Sequence, residues 1–99
     1  NIENEKEKAM GIITGDYKVE YFDENREKKG EVTFPPIDED TVNINHTFVD
    51  SSLRGMGMAG KLMEAAARQI QKEGKKAVLS CSYAIKWFDS HEEYKDILK

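Results

Sequence analysis

Three glycines fall within six positions of the stretch SSLRGMGMAGKLM, at Gly55, Gly57 and Gly60, with Arg54 immediately before them. The run leads into a helical pattern. At a helix start the first backbone N–H groups have no internal partner and point outward, and the macrodipole adds about half a positive charge. Glycines remove the Cβ atoms that would hold an anion away, and they permit positive φ. Arg54 adds a full charge at the mouth. Such a corner suits a phosphate or pyrophosphate. The other side chains able to do chemistry are dispersed: Cys81, His46, Tyr83, His91 and Tyr94. One cysteine and two histidines so spread give no metal-ligand spacing, and no metal is expected.

The glycines match G-x-G-x-x-G letter for letter, yet the context departs from a dinucleotide loop. That loop needs a strand leading directly into the glycines and an acidic residue about 20 positions on to hold the ribose. Here DSSLR intervenes, and no Asp or Glu occurs between Glu73 and Asp89. A P-loop fails as well, because Lys61 is not placed as in G-x-x-x-x-G-K-[ST] and no Ser or Thr follows it. A plain tight turn leaves the arginine and the third glycine unexplained.

The elements that must hold this loop follow from periodicity. Ala9 to Ile13 reads as a first strand. DYKVEYF alternates Tyr17, Val19 and Tyr21 against Lys18 and Glu20. DENREKKG is a solvated turn ending at Gly30. EVTF puts Val32 and Phe34 on one face, and Pro35-Pro36 stops it. TVNINHTFV puts Val42, Ile44, His46 and Phe48 on one face, with Asn43, Asn45 and Thr47 on the other. Connections this short predict an antiparallel meander. The period then changes. Ala59, Leu62, Met63, Ala66 and Ile70 form a helical stripe, of which Leu62, Met63, Ala66 and Ile70 are core rather than a cofactor box, and Gly74 suits the C′ position. AVLSC reads as a buried strand, so strand–helix–strand predicts a right-handed parallel crossover. AIKWFDSHEEYKDIL closes the chain as one or two short helices, anchored by Trp87 and Phe88, with His91 and Tyr94 packing the tail. The class is α+β.

VDSSLRGMGMA resembles the acetyl-CoA-binding motif R/Q-x-x-G-x-G/A of the GNAT acetyltransferase superfamily, with Arg54, Gly57 and Ala59 on its defining positions. HTFV (46–49), RGMG (54–57), Cys81 and HEEY (91–94) extend the resemblance to a short branch of that superfamily. The branch often has Pro after the cysteine and after the tail histidine, where this chain has Ser82 and Glu92. The resemblance implies a GNAT-like fold, an antiparallel meander followed by a β-α-β crossover carrying the acetyl-CoA loop and a short helical tail. It implies that backbone amides from Arg54 through Gly55, Met56, Gly57 and Met58 to Ala59 hold the CoA pyrophosphate. It also implies that the strand end, Phe48 and Val49, hydrogen-bonds the pantetheine arm and polarises the thioester carbonyl. The N-terminal helices that shape the acceptor site in larger members have no counterpart here, which leaves the acceptor side open.

Amine acetylation needs a base for the ammonium, a polarised carbonyl and an acid for the departing thiolate. Within the resemblance, Cys81 ends the strand after the CoA-binding helix and is either a transient acetyl acceptor, a proton donor, or a buried small hydrophobe. His46 is either a general base one pleat from the thioester or a satisfied core histidine. Tyr83 shares a strand face with Cys81 if the strand continues, and either protonates the CoA thiolate or packs.

Ninety-nine residues make one domain, expected to span 1–99. Fifteen Lys and Arg against nineteen Asp and Glu give a net charge of −4, which argues against nucleic acid as partner. One cysteine forms no internal disulfide, and a reducing cytoplasm is the natural compartment. No apolar run approaches the roughly 18 residues of a membrane span, and NIENEKEKAM reads as a charged start without a signal-peptide core. The expected activity is transfer of acetyl from acetyl-CoA to a primary amine on a small molecule or protein, through or assisted by Cys81. The alternative is a CoA- or acyl-CoA-binding module with little catalysis. The chain is expected to act as a monomer or weak homodimer, since a small sheet leaves a pairing edge.

Overall fold

The computed structural model describes residues 10–99. The expected strand from Ala9 is seen from Gly11 onward; Ala9 and the charged start lie outside the described residues. Strands β1 (Gly11–Gly15), β2 (Lys18–Phe22), β3 (Lys28–Thr33) and β5 (His46–Val49) form an antiparallel sheet in the order β1-β2-β3-β5. Strand β4 (Thr41–Ile44) pairs in parallel with β6 (Lys76–Leu79) as a second, two-stranded sheet. The expected meander and parallel crossover are both present. Tyr17 is not in a strand but in the turn after β1, with φ 58°, its ring edge-on to Phe34. The turn after β2 is shorter than expected, because β3 already begins at Lys28.

The stretch expected as one strand is two. After Ile44 the chain slips by one residue at Asn45, so every later side chain changes face. Val42 and Ile44 point into the core, and beyond the slip it is Thr47, across from the fully buried Val32, that takes the core face. His46 and Phe48 turn to the open face of the sheet and are exposed. The cause is competition between two neighbours. The Ile44 carbonyl accepts N–H bonds from both Ser80 (3.1 Å) and Cys81 (3.2 Å), drawing β4 to β6. Asn45 turns to Thr33, whose hydroxyl donates to Asn45 Oδ1 at 2.5 Å, and β5 follows β3. The two half-strands therefore part at the mouth of a seam.

Helix α1 (Met58–Lys72) covers that seam, with contacts to β1, β2, β3, β5 and β6. Of the predicted stripe, Leu62, Met63, Ala66 and Ile70 are fully buried, joined by Ala67, which it did not include, while Ala59 at the helix start is half-buried. Burying each of Leu62, Met63 and Ile70 contributes roughly 1.5–3 kcal/mol. The helix lies so close to β3 because Gly30 is there: an added Cβ would stand 2.8 Å from Leu62 Cδ1. Gly74 is the C′ residue, its N–H bonded to Gln71 O and that of Lys75 to Ile70 O, a Schellman closure.

Helix α2 (Ser82–Asp89) and a 3₁₀ segment (Glu92–Ile97) complete the chain. Trp87 and Phe88 are buried as expected, and His91 stacks on the Trp87 ring at 3.8 Å and 9°. Tyr94 ties the tail to α1, donating to Glu64 Oε2 and accepting from Arg68 Nε, each at 3.1 Å.

Candidate functional site

The glycine loop begins where β5 ends. Asp50 accepts from the Ser52 N–H (3.0 Å) and hydroxyl (2.5 Å), fixing a 3₁₀ turn over Ser51–Leu53. These bonds, the Ser52 hydroxyl foremost, hold the Asp50 carboxyl below the usual range. The chain then passes Gly55 at φ 82° and Gly57 at φ 72°, both left-handed, and enters α1. Gly57 is the N-cap and offers no side-chain cap, and the first turn of α1 holds no acidic residue. A Cβ built on Gly55 or Gly57 meets nothing within 4 Å. Glycine is required here by the backbone angles, and the space in front of the loop is open.

The first bond closing α1 is Lys61 N–H to Gly57 O. The N–H groups of Gly55, Gly57, Met58, Ala59 and Gly60 thus have no hydrogen-bond partner among the described residues. Those of Arg54 and Met56 do, bonding Ser51 O and Leu53 O. The expected row of amides from Arg54 to Ala59 is corrected accordingly: two of its members are spent inside the loop, and Gly60 joins at the helix end. The Met56 side chain is 62% exposed and lies off the cleft. Arg54 is exposed and makes no ion pair among the described residues. A cleft of about 250 Å³ runs from Val49 and Leu53 past Arg54, Gly57, Met58 and Ala59 to Tyr83. Five uncapped donors, a cation and an open front suit a pyrophosphate.

At the seam, the backbone of β5 divides its bonds by parity. Asp50 N–H bonds Lys29 O across β3, so the alternate residues, Phe48 and His46, face β3 with their main-chain groups. Thr47 and Val49 present theirs to the free edge toward β6. Of the expected strand-end pair, Val49 lies on this edge and in the cleft, whereas Phe48 puts its ring on the open sheet face.

Cys81 is not the last residue of β6, which ends at Leu79; it is the N-cap of α2. Its half-buried Sγ lies 3.4 Å from Thr47 Oγ1. Burial alone pushes the thiol up. The Thr47 hydroxyl and the N–H groups of Ala84, Tyr83 and Thr47 outweigh it, and the net direction is below the ordinary thiol range. Tyr83, on the first turn of α2 rather than on a strand, faces the loop, its hydroxyl 3.7 Å from a Cβ built on Gly60. Burial raises its pKa and keeps it protonated. His46 is overturned as a core or seam residue: the slip at Asn45 sends it outward, away from Thr47 and Cys81. The residues the sequence reading missed are Thr47, Leu53 and Gly60. Gly60 stood in the glycine run, but Thr47 was on the wrong face of an uninterrupted strand.

Residues 17–97 match the model of a family described as GCN5-related N-acetyl-transferase. No protein of curated function matches the chain. Among solved structures, a GCN5-like candidate N-acetyltransferase from Staphylococcus aureus, determined by NMR, superposes with a TM-score of 0.73 at 27% identity, covering 93% of this chain and 90% of that one. The ribosomal-protein-S18-alanine N-acetyltransferase from Escherichia coli superposes at 0.62 with 16% identity, over 79% of this chain and 54% of that one. A GNAT family acetyltransferase from Elizabethkingia anophelis with acetyl-CoA bound gives 0.54 and 19%, over 77% and 49%. The last two share the fold, and this chain spans about half their length.

Proposed function

The chain belongs to the GCN5-related N-acetyl-transferase family and is an acyltransferase, and from that premise we propose that it moves acetyl from acetyl-CoA to a primary amine through Cys81. The observation that carries this reading is a cleft that runs from the uncapped amides at Gly55 to Gly60 to Tyr83, two residues along α2 from Cys81, whose Sγ pairs with Thr47. When bound, acetyl-CoA supplies the activated acetyl group. The loop amides and Arg54 hold its pyrophosphate, and the strand edge at Val49 takes the pantetheine arm. The Cys81 thiolate, favoured by Thr47 and the α2 amides, attacks the thioester carbonyl carbon; the new C–S bond forms as the bond to CoA sulfur breaks. Tyr83 donates the proton to the leaving sulfur. The neutral amine then attacks the acetyl carbon on Cys81; the C–N bond forms as the C–S bond breaks, the thiolate returns, and the proton shed by nitrogen passes through solvent to the Tyr83 phenolate, restoring its hydroxyl.

Intact mass after incubation with labelled acetyl-CoA tests the route. Uptake of one acetyl by the wild type and none by Cys81→Ala supports it. Equal labelling of both, or unchanged amine acetylation by Cys81→Ala, means that Cys81 is not the acetyl acceptor. CoA-induced amide shifts over residues 47–60 with no acetyl transfer to any amine would leave a CoA-binding module.

A further inference from the structure

The HEEY segment of the tail has no part in the chemistry described above, yet both of its rings are spent on one side chain. His91 stacks on the Trp87 indole at 3.8 Å and 9°, and its Nδ1 lies 2.7 Å from the Trp87 carbonyl oxygen. Tyr94 stacks on the same indole at 5.7 Å and 29°, and its hydroxyl is tied to Glu64 and Arg68 of α1. Trp87 itself is only 6% exposed. A buried indole N–H is normally bonded. This one has no hydrogen-bond partner among the described residues. No wholly enclosed side-chain nitrogen or oxygen among those residues lacks a partner, so Nε1 must reach open space.

Gly60 marks where it opens. Trp87 Nε1 and the Tyr83 hydroxyl, one turn apart on α2, each stand 3.7 Å from a Cβ built on that glycine. Gly60 lines the loop cleft, and its own N–H is one of the uncapped donors of α1. Neither strain nor crowding requires glycine there: its φ is not left-handed, and an added methyl would make only ordinary contacts. Alanine would serve the helix better. What glycine leaves is a methyl-sized notch bordered by two polar tips and a free amide. We propose that Trp87 is a coenzyme-binding residue: its indole N–H donates, through the notch at Gly60, to an acceptor oxygen of bound CoA, and His91 and Tyr94 position it by clamping the ring. Phosphoryl oxygens and pantetheine carbonyls share this acceptor chemistry. The inference rests on the coenzyme reading above.

The chain has one tryptophan, so a single indole proton–nitrogen cross-peak reports this N–H alone. The test titrates CoA, inorganic pyrophosphate and pantetheine in turn. The expected result is a CoA-induced shift of the indole peak that saturates together with the amides of residues 55–60. A matching shift with pyrophosphate identifies a phosphoryl oxygen as the acceptor, and one with pantetheine a carbonyl. Trp87→Phe keeps an aromatic ring in the stack without the N–H and should bind CoA about fivefold more weakly. Gly60→Ala fills the notch and should weaken CoA binding at least as much, while its melting temperature holds or rises. His91→Ala should lose affinity by a similar factor, and His91→Phe, which restores a stacked ring, should recover most of it. Wild-type affinity in His91→Ala overturns the clamp. An indole peak left in place by CoA while the loop amides shift, or wild-type affinity in both Trp87→Phe and Gly60→Ala, overturns the Trp87 assignment and leaves the coenzyme reading standing. If CoA moves neither the loop amides nor the indole, the coenzyme reading falls and Trp87 with it.

Discussion

The Cys81 thiol sits in balance between burial, which disfavours its charge, and four donors, which favour it. Thr47 is the one donor of the four that a substitution can remove without touching the backbone. Thr47→Val keeps the shape and deletes the hydroxyl 3.4 Å from Sγ. We expect the pH profile of iodoacetamide alkylation to move to higher pH in this variant, with several-fold slower labelling near neutrality. An unmoved profile would show that the α2 amides alone set the thiolate. The sign for stability follows from linkage. Because the folded state releases this proton more readily than the unfolded chain, the thiolate adds stability above the ordinary thiol range. That contribution is lost as pH falls through the lowered folded value. Thr47→Val should therefore cost more stability in alkaline urea titrations than in neutral ones. Thr47 was invisible in the sequence for a definite reason: alternation is a parity signal, and one extra residue at Asn45 reverses it for everything downstream.

At the scale of elements, what depends on neighbours in sequence was legible, and what depends on neighbours in space was not. The stripe on α1, the Gly74 closure and the tail anchors Trp87 and Phe88 are set by local periodicity and capping, and all stand as read. The division of β4 from β5 is set by which strand each half pairs with, information that arrives only with β6 and β3. The loop was legible in kind, since glycines before an amphipathic helix carry their own geometry; which amides it leaves free was not. Two substitutions test this element. Gly57→Val forces a β-branched residue to φ 72° and fills the open space in front of the loop, whereas Arg54→Ala removes one exposed charge. CoA affinity by calorimetry should fall about tenfold or more in the first and only a few-fold in the second. Equal affinities for both variants and the wild type would count against the pyrophosphate assignment. Gly30→Ala acts on packing instead. Its Cβ would crowd the buried Leu62 Cδ1, so urea denaturation should show a loss of about 1–3 kcal/mol with CoA affinity little changed.

For the whole molecule, the consequential feature is that two sheets are joined by one kinked strand and roofed by α1. The four-stranded sheet contributes Thr47 and Val49 to the seam, the two-stranded sheet leads through β6 to Cys81, and α1 opens on the loop. A ligand lying from loop to seam must therefore touch both sheets and the helix at once, and it binds only when all three are assembled. Binding to the folded state alone stabilises by mass action, about 2.7 kcal/mol at a hundredfold excess over Kd. For a chain of this size that raises Tm by roughly 10–20 °C. The increase should fall to about half or less at the same CoA concentration in Gly57→Val. The distribution of the effect is the sharper check. Amide hydrogen exchange should slow on adding CoA in both the β3–β5 and the β4–β6 pairings, because the ligand adds a tie between halves that already meet through Asn45, α1 and the Thr47–Cys81 contact. Protection confined to the four-stranded sheet would place the pantetheine arm outside the seam and detach Cys81 from the reaction, even with the loop still holding the pyrophosphate.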